Sequence, residues 1–76
     1  MKVRPISDIF GERIRTLRTE KGLSQEQLAE LADLHRTFIG RIERGETNVT
    51  LENIKRLAKG LNVPLAKLFA GMSTAG

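Results

Sequence analysis

The fold is decided by residues 24–45, which read SQEQLAELADLHRTFIGRIERG. Ser24 stands three residues before Gln27, and this spacing forms a capping box that marks the start of a helix. Apolar residues then recur at helical spacing on both sides of Asp33, where the chain must turn. Gly45 accepts the left-handed backbone that follows a helix. The stretch therefore predicts two short helices joined by a tight turn.

Three further helices are predicted around this pair. Their starts are marked by residues that suit a helix N-terminus, which are Ser7 or Asp8 for the first, Thr50 for the fourth and Pro64 for the fifth. Two helix ends are marked by residues that accept the left-handed conformation, namely Gly22 and Asn62. The apolar stripe of the fourth helix comprises Leu51, Ile54, Leu57, Ala58 and Leu61. No stretch alternates with period two, so the sequence predicts a compact all-α domain of five helices.

The 76 residues suffice for one small domain, and we expect an ordered core at about 7–70 and a short flexible tail at 71–76. A domain of this size buries only about 60% of its unfolded surface. The chain has no cysteine, so neither a disulfide nor a thiolate zinc site can stabilise it. Dimerisation is the remaining common source of stability at this size.

Composition also limits location and partners. No segment approaches the ~18 consecutive apolar residues of a membrane span, and no secretory signal is visible, so we expect no membrane partner. The absence of cysteine fits a reducing cytoplasm. The net charge of +4 favours a polyanionic partner, although the same charge also serves solubility.

The third helix, expected to begin near His35 or Arg36, carries the signal for function. At about 100° per residue, one of its sides holds the apolar residues Phe38, Ile39 and Ile42. The other side holds small and cationic residues, namely Arg36, Thr37, Gly40, Arg41 and Arg44, with no acid of this helix among them. A major groove admits one α-helix, arginine can bond guanine through two acceptors, and a threonine methyl suits a thymine methyl. This face therefore predicts DNA binding, and the alternative is an ordinary solvated face.

Several runs of the chain resemble the lambda-repressor-like, or Xre-type, helix-turn-helix family. They are LSQEQLA at 23–29, IGRIERG at 39–45, LENI at 51–54 and LAKLF at 65–69. The similarity covers about residues 8–70, and it is specific because these runs occur together. The stretch LHRTFIG at 34–40 also resembles the small controller proteins of restriction–modification systems, which are short, free-standing, dimeric regulators.

The resemblance implies a role for each matching residue. The family reads bases with the first two residues of the recognition helix and one residue a turn later, here Arg36, Thr37 and Arg41. It holds phosphates with the start of the second helix and the loop after the third, here Ser24, Gln25, Arg44, Thr47 and Asn48. Gly40 offers a flat spot on which the helix can approach DNA closely. Arg18 and Glu43 match a family ion pair with a structural role.

The chain departs from the family pattern at three positions. Asp33 replaces the usual glycine of the turn, His35 stands where serine or threonine usually caps the recognition helix, and Pro64 replaces a common serine. None of these changes threatens the fold, although each alters a local cap or turn. At its position, His35 is a further candidate for a phosphate contact.

A dimer on a (pseudo)palindromic operator is expected, because a single recognition helix reads too few base pairs to select one site in a genome. The region of the fifth helix has more apolar surface than this short helix needs in order to pack against the other helices. Its candidate dimer-interface residues are Val63, Leu65, Leu68, Phe69 and Met72.

The sequence predicts that the protein is not an enzyme, because no nucleophile–base set or metal pattern appears. No metal, cofactor or small-molecule ligand is expected, since the one histidine lacks partner ligands. The leading hypothesis is a cytoplasmic transcription regulator, either a restriction–modification controller or a phage-type repressor, with RNA polymerase as a further candidate partner. Two alternatives stay open: the antitoxin of a toxin–antitoxin pair, and a protein-interaction module with a vestigial DNA face.

Overall fold

A computed structural model describes residues 4–71 and contains five α-helices. Their bounds are α1 Ile6–Glu20, α2 Gln25–Ala32, α3 Arg36–Glu43, α4 Leu51–Leu61 and α5 Leu65–Phe69. No strand occurs within residues 4–71, so the predicted five-helix, all-α architecture is confirmed. Residues 72–76, which make up most of the expected tail, lie outside the described residues, and the flexible tail stays a prediction.

Two helices start at the side-chain caps that the sequence predicts. At α2, the Ser24 hydroxyl accepts a hydrogen bond from the Gln27 backbone N–H at 3.0 Å, and Gln27 Oε1 accepts one from the Ser24 N–H at 2.7 Å. At α4, Thr50 Oγ1 accepts a hydrogen bond from the Asn53 backbone N–H at 3.1 Å. Each bond satisfies a donor that the first turn of a helix leaves without an intrahelical partner.

The start of α1 differs from the prediction. The helix begins at Ile6, directly after Pro5, so the expectation that Ser7 or Asp8 caps it is wrong. The Pro5 carbonyl accepts a hydrogen bond from the Asp8 N–H at 3.0 Å. The Ile9 N–H donates to the same carbonyl at 3.3 Å, so the first turn closes on backbone hydrogen bonds alone, without a side-chain acceptor.

Two helix ends carry a left-handed residue that is not glycine. Asp33 after α2 and Asn62 after α4 have φ of 58° and 57°, which Asp and Asn tolerate better than other side chains do. Asn62 confirms the predicted end of α4. At the turn between α2 and α3, Arg56 of α4 donates to the Asp33 carbonyl at 3.1 Å and ties the turn to α4. Pro64 precedes α5, which begins at Leu65, one residue later than predicted.

The core lies where the five helices meet. Its buried apolar residues are Phe10, Ile14, Leu17, Leu28, Ala29, Ala32, Ile39, Ile42, Leu57, Ala58, Leu61 and Leu68. The predicted stripe of α4 is wrong at its first member, because Leu51 is 85% exposed. Leu51 stands at the start of α4, and no other described helix covers this end of α4. The apolar stripe therefore begins at the half-buried Ile54.

Two glycines let pairs of helices approach closely, and spacing arguments did not predict either contact. A Cβ atom on Gly11 would lie 2.2 Å from the Ile42 carbonyl oxygen, so α1 lies directly on the last turn of α3. A Cβ atom on Gly60 would lie 3.0 Å from the backbone nitrogen of Ala32, at the end of α2. The two contacts fix the positions of α2 and α3 relative to the rest of the domain.

Candidate DNA interface

The expected recognition helix, α3, is buried on one side and exposed on the other. Ile39 and Ile42 have relative exposures of 0% and 1%, whereas Arg36, Thr37 and Arg41 are exposed. Helical spacing places these three polar side chains within an arc of about 140°. The residues predicted to read bases therefore share the solvent-facing side of a helix whose other side is fixed in the core.

Carboxylates from neighbouring segments reach two arginines of this face. Glu26 of α2 accepts a hydrogen bond from Arg36 Nη1 at 3.2 Å. Glu46, in the loop after α3, accepts two from Arg44, one from Nε at 2.8 Å and one from Nη2 at 3.2 Å. The prediction of a face without acids is thus correct for the residues of α3 alone, but it is wrong for the surface that α3 forms together with its neighbours. Sequence reasoning missed both partners, because a helical wheel omits residues that other elements contribute.

The pair of Arg44 and Glu46 shifts the pKa of both side chains and favours the charged form of each. The hydrogen bond from Arg44 lowers the pKa of Glu46 below its ordinary value, and the charge of Arg41 acts in the same direction. The same hydrogen bond raises the pKa of Arg44. Both side chains stay about half exposed, at 56% and 51%, so solvent ions can compete for either partner.

A partly buried polar cluster lies behind the exposed face. Arg18 of α1 donates from Nε and Nη2 to the two carboxylate oxygens of Glu43, at 2.6 and 3.0 Å, and from Nη1 to the Leu23 carbonyl at 2.8 Å. Gln25 Nε2 donates to Glu43 Oε1 at 3.0 Å. The hydrogen bond to Glu43 raises the pKa of Arg18. The ion pair of Arg18 and Glu43, which the family resemblance implied, joins α1 to the end of α3, and the Gln25 hydrogen bond adds the start of α2.

Ser24 and Gln25, two of the expected phosphate contacts, stand at the start of α2. Ser24 is exposed, and its hydroxyl can still donate a hydrogen bond while its oxygen serves as the helix cap. Gln25 is half-buried, and one of its two amide N–H groups is held by Glu43. The second N–H of the Gln25 amide is the donor that a phosphate contact would use.

Gly40 is buried, in contrast to its expected place on an open, flat part of α3. A Cβ atom there would lie 3.1 Å from Arg44 Nη1 and 3.5 Å from Gln25 Oε1. The missing side chain thus makes room for two polar side chains that cover the helix. An approaching DNA backbone would meet Arg44 and Gln25 before it met the main chain of Gly40.

The remaining expected phosphate contacts flank the two ends of α3. His35 is exposed directly before the helix and makes no side-chain cap hydrogen bond. In the loop that follows α3, Thr47 is half-buried and its hydroxyl donates to the carbonyl of the exposed Asn48 at 3.3 Å. Contacts of these three residues with DNA stay predictions.

The expected dimer-interface residues separate into core and surface. Leu68 is wrong as an interface residue, because its side chain is fully buried in the core. Leu65 and Phe69 are exposed, and Val63 is half-buried. Met72 lies outside the described residues.

An apolar groove runs beside the exposed part of α5. Its walls include Phe10 of α1, Val49 of the loop before α4, Ile54 of α4 and Phe69 of α5. The rings of Phe10 and Phe69 pack against each other with centroids 5.6 Å apart. Ile6, at the start of α1, also lines this groove and is exposed, so the apolar surface near α5 is larger than the sequence indicated.

Residues 4–71 contain neither a cluster of metal ligands nor a membrane-spanning helix. Over that range, the acidic and histidine side chains form no group of three or more that could hold a metal ion. Over the same range, no helix combines the length and the apolar character that crossing a bilayer requires.

Comparison with known proteins agrees with the fold. A family model described as Helix-turn-helix matches residues 14–68. The chain is 52% identical over 63 residues to control protein C.SmaI of Serratia marcescens, with 83% of this chain and 75% of that protein covered. It is 50% identical over 56 residues to control protein C.BamHI of Bacillus amyloliquefaciens, with 72% and 69% covered.

A solved structure extends the comparison to three dimensions. The restriction-modification controller protein C.AhdI from Aeromonas hydrophila superposes with a TM-score of 0.81 at 51% identity, over 83% of this chain and 96% of that chain. The fold and the sequence matches together define a DNA-binding transcription regulator, which is not an enzymatic class of protein. Within that class, the chain belongs to the Cro/Xre-type helix-turn-helix family, and the resemblance to controller proteins is confirmed.

Proposed function

We propose that this protein regulates transcription as a homodimer on a (pseudo)palindromic operator, with α3 in the major groove of each half-site. The observation that carries the proposal is the two-sided environment of α3. Ile39 and Ile42 lie in the core, while Arg36, Thr37 and Arg41 face solvent. A helix anchored in this way keeps its orientation, so its polar side chains approach the base edges already positioned.

The exposed side chains suit direct readout of bases. Arg36 and Arg41 each match guanine, whose O6 and N7 accept two hydrogen bonds from one guanidinium, and Thr37 matches a thymine methyl. Arg36 must first leave Glu26, but an exposed ion pair contributes only about 0.2–1 kcal/mol. A good bidentate base contact contributes about 1–3 kcal/mol of discrimination, so the exchange favours the base.

Residues around α3 supply the sequence-independent part of the affinity in this proposal. The proposed phosphate contacts are Ser24, Gln25, His35, Arg44, Thr47 and Asn48. The first turn of α2 adds backbone N–H groups that have no intrahelical acceptor and that favour an anion. Gly40 acts indirectly, because it leaves room for Arg44 on top of the helix.

A second copy of the chain covers the apolar surface near α5 in this proposal. Leu65 and Phe69 are 49% and 44% exposed, and Ile6 shares the groove that Phe69 lines. None of these residues belongs to α3, so both recognition helices stay free to bind DNA. A two-fold dimer doubles the base contacts and spaces the half-sites about one helical turn apart.

We further propose that the regulated genes belong to a restriction–modification system. The support is the similarity to C.SmaI, C.BamHI and C.AhdI, of which the last is a restriction-modification controller protein. The cytoplasm is the proposed location, because a chain without cysteine suits a reducing compartment. The contacts of α3 give no specific support to an antitoxin or to a pure protein-interaction module.

Selection of bound DNA from a random pool tests the operator part of the proposal. The expected result is two inverted half-sites about one helical turn apart. Arg36→Ala should lose the preference at one base position of each half-site, whereas Glu30→Gln, on an exposed position of α2, should leave the preference intact. A pool without enrichment, or one in which Arg36→Ala selects the same sites, contradicts the proposal.

Analytical ultracentrifugation tests the dimer surface. Leu65→Glu should shift the protein towards monomer, because it places a charge in the proposed apolar contact. Leu31→Glu is the matched control, since Leu31 is a leucine of similar exposure, at 54%, on α2. An unchanged dimer in the Leu65→Glu variant would reject this surface.

A further inference from the structure

Arg44 and Glu46 form a two-bond contact on the proposed DNA face. The Glu46 carboxylate accepts hydrogen bonds from both Nε and Nη2 of Arg44, so it occupies one edge of the guanidinium. An arginine holds a phosphate through the same kind of paired N–H donors. Arg44 also lies over Gly40, in the middle of the recognition helix, so this edge is part of the surface that DNA would approach.

We propose that Glu46 is an internal competitor for DNA phosphate, and that it sets the sequence-independent affinity of the protein by occupying Arg44. This inference rests on the proposed function, because it requires Arg44 to bind a phosphate. On binding, the phosphate replaces the carboxylate at the arginine, and Glu46 is left as an unpaired negative charge beside the DNA backbone. Glu46 therefore lowers affinity twice, first through competition and then through repulsion.

The exposure of the pair decides how large this effect is. Both side chains are about half exposed, and exposed ion pairs are weak enough for a competing anion to displace one partner. Glu46 therefore reduces DNA binding without abolishing it. Replacement of Glu46 by glutamine should raise the affinity for duplex DNA by about two- to fivefold for each protomer bound.

Salt dependence gives a second readout of the same competition. Each phosphate that a protein neutralises contributes a slope of about −0.9 to the plot of log affinity against log salt concentration. With Glu46 removed, Arg44 neutralises its phosphate fully. The slope should therefore steepen, by up to about 0.9 for each protomer.

The test measures binding of the full chain to a random-sequence duplex over a series of salt concentrations. The variant is Glu46→Gln, and the matched control is Glu12→Gln, which makes the same charge change and breaks another exposed pair, between Arg4 and Glu12. We expect the affinity gain and the steeper slope in Glu46→Gln only. Equal gains in both variants, or none in Glu46→Gln, overturn the inference.

A double-mutant cycle tests whether Glu46 acts through Arg44. In an Arg44→Gln background, Glu46→Gln should raise the affinity by less than in the unaltered protein, because the competition is gone and only the repulsion remains. A gain as large as in the unaltered protein shows an effect of net charge alone and overturns the inference. If the unaltered protein does not bind random duplex even at low salt, the proposed function itself fails, and this outcome is distinct from either result with the variants.

Discussion

The Glu43 carboxylate accepts two hydrogen bonds from Arg18, and these two side chains are only 3% and 12% exposed. The pair gives little net stability compared with apolar residues of similar volume, but removal of one partner leaves the other charged in a poorly solvated site. Arg18→Met should therefore lower the free energy of unfolding by about 3 kcal/mol. Urea denaturation followed by circular dichroism measures this change.

Two further variants separate the loss of the pair from the loss of a surface charge. Arg15→Met, on the exposed side of α1, makes the same change of residue type and should alter stability by less than about 0.5 kcal/mol. The double variant Arg18→Met with Glu43→Met should recover part of the loss, because no unpaired carboxylate remains. An Arg18→Met variant as stable as Arg15→Met would contradict this account of the pair.

Gly11→Ala is predicted to destabilise the protein although alanine is the better helix former. On an exposed helix, the exchange of glycine for alanine stabilises by about 0.5–1 kcal/mol. Here the new Cβ would lie 2.2 Å from the Ile42 carbonyl oxygen and 2.9 Å from that of Glu43, so α1 and α3 must move apart. The expected net loss is about 1–3 kcal/mol in the free energy of unfolding.

The displacement of α3 gives Gly11→Ala a second, functional readout. Because the new Cβ pushes α3 away from its position on α1, the recognition helix should fit the major groove less well. Affinity for the selected operator should therefore fall, even under conditions where the variant is fully folded. Thr16→Ala, at an exposed position of α1, is the control for a small change in the same helix. A Gly11→Ala variant that gains stability would show that the close contact of α1 with α3 does not exist in solution.

The sequence was sufficient to predict those structural features that depend on residues close to one another in the chain. The capping box of Ser24 and Gln27, the cap at Thr50 and the left-handed Asn62 each depend on residues a few positions apart, and all three were predicted. The buried side of α3 was also predicted, because a hydrophobic stripe on a short helix has to face the core.

Features that depend on the meeting of distant segments were not predictable in this way. The close contact at Gly60 arises because α4 packs on the end of α2, and helical spacing contains no information on that distance. Leu68 and Leu65 are both apolar and three residues apart, yet the first is buried and the second is exposed. Glu46 reaches Arg44 through the turn at Gly45, a geometry that a helical wheel does not represent.

The carboxyl group of Glu46 should titrate below the ordinary range of a glutamate. The hydrogen bond from Arg44 favours the charged form and lowers the pKa of Glu46. A carboxylate with a lowered pKa contributes stability above its unfolded pKa, and that contribution is lost as the pH falls through the lowered value. The site is exposed, so the effect on overall stability is small and the pKa itself is the better readout.

Titration of the glutamate side-chain carboxyls by nuclear magnetic resonance measures this shift. Arg44→Gln should return the pKa of Glu46 towards the ordinary value, because the donor is removed. Glu12, whose pKa is lowered by its own hydrogen bond from Arg4, is the internal control and should not respond to Arg44→Gln. An unaltered pKa of Glu46 in the Arg44→Gln variant would show that the pair does not form in solution.

His35→Ser should stabilise the recognition helix. His35 has the extended backbone of a helix cap, with φ of −78° and ψ of 142°, but its side chain accepts no hydrogen bond from the first turn of α3. The Phe38 N–H donates to the His35 carbonyl at 3.0 Å, and a serine hydroxyl at position 35 can accept this N–H instead, as Ser24 accepts that of Gln27 at α2. The expected gain is about 1 kcal/mol in the free energy of unfolding, measured by thermal or urea denaturation.

DNA binding by the same variant separates the two roles that His35 can have. If its imidazole contacts a phosphate, His35→Ser gains stability but loses affinity equally for operator and random duplex, because a phosphate contact carries no base preference. His35→Ala is the control, since it removes the imidazole without adding a cap and should lose affinity without gaining stability. Equal stability of the serine and alanine variants would show that α3 does not use a side-chain cap at this position.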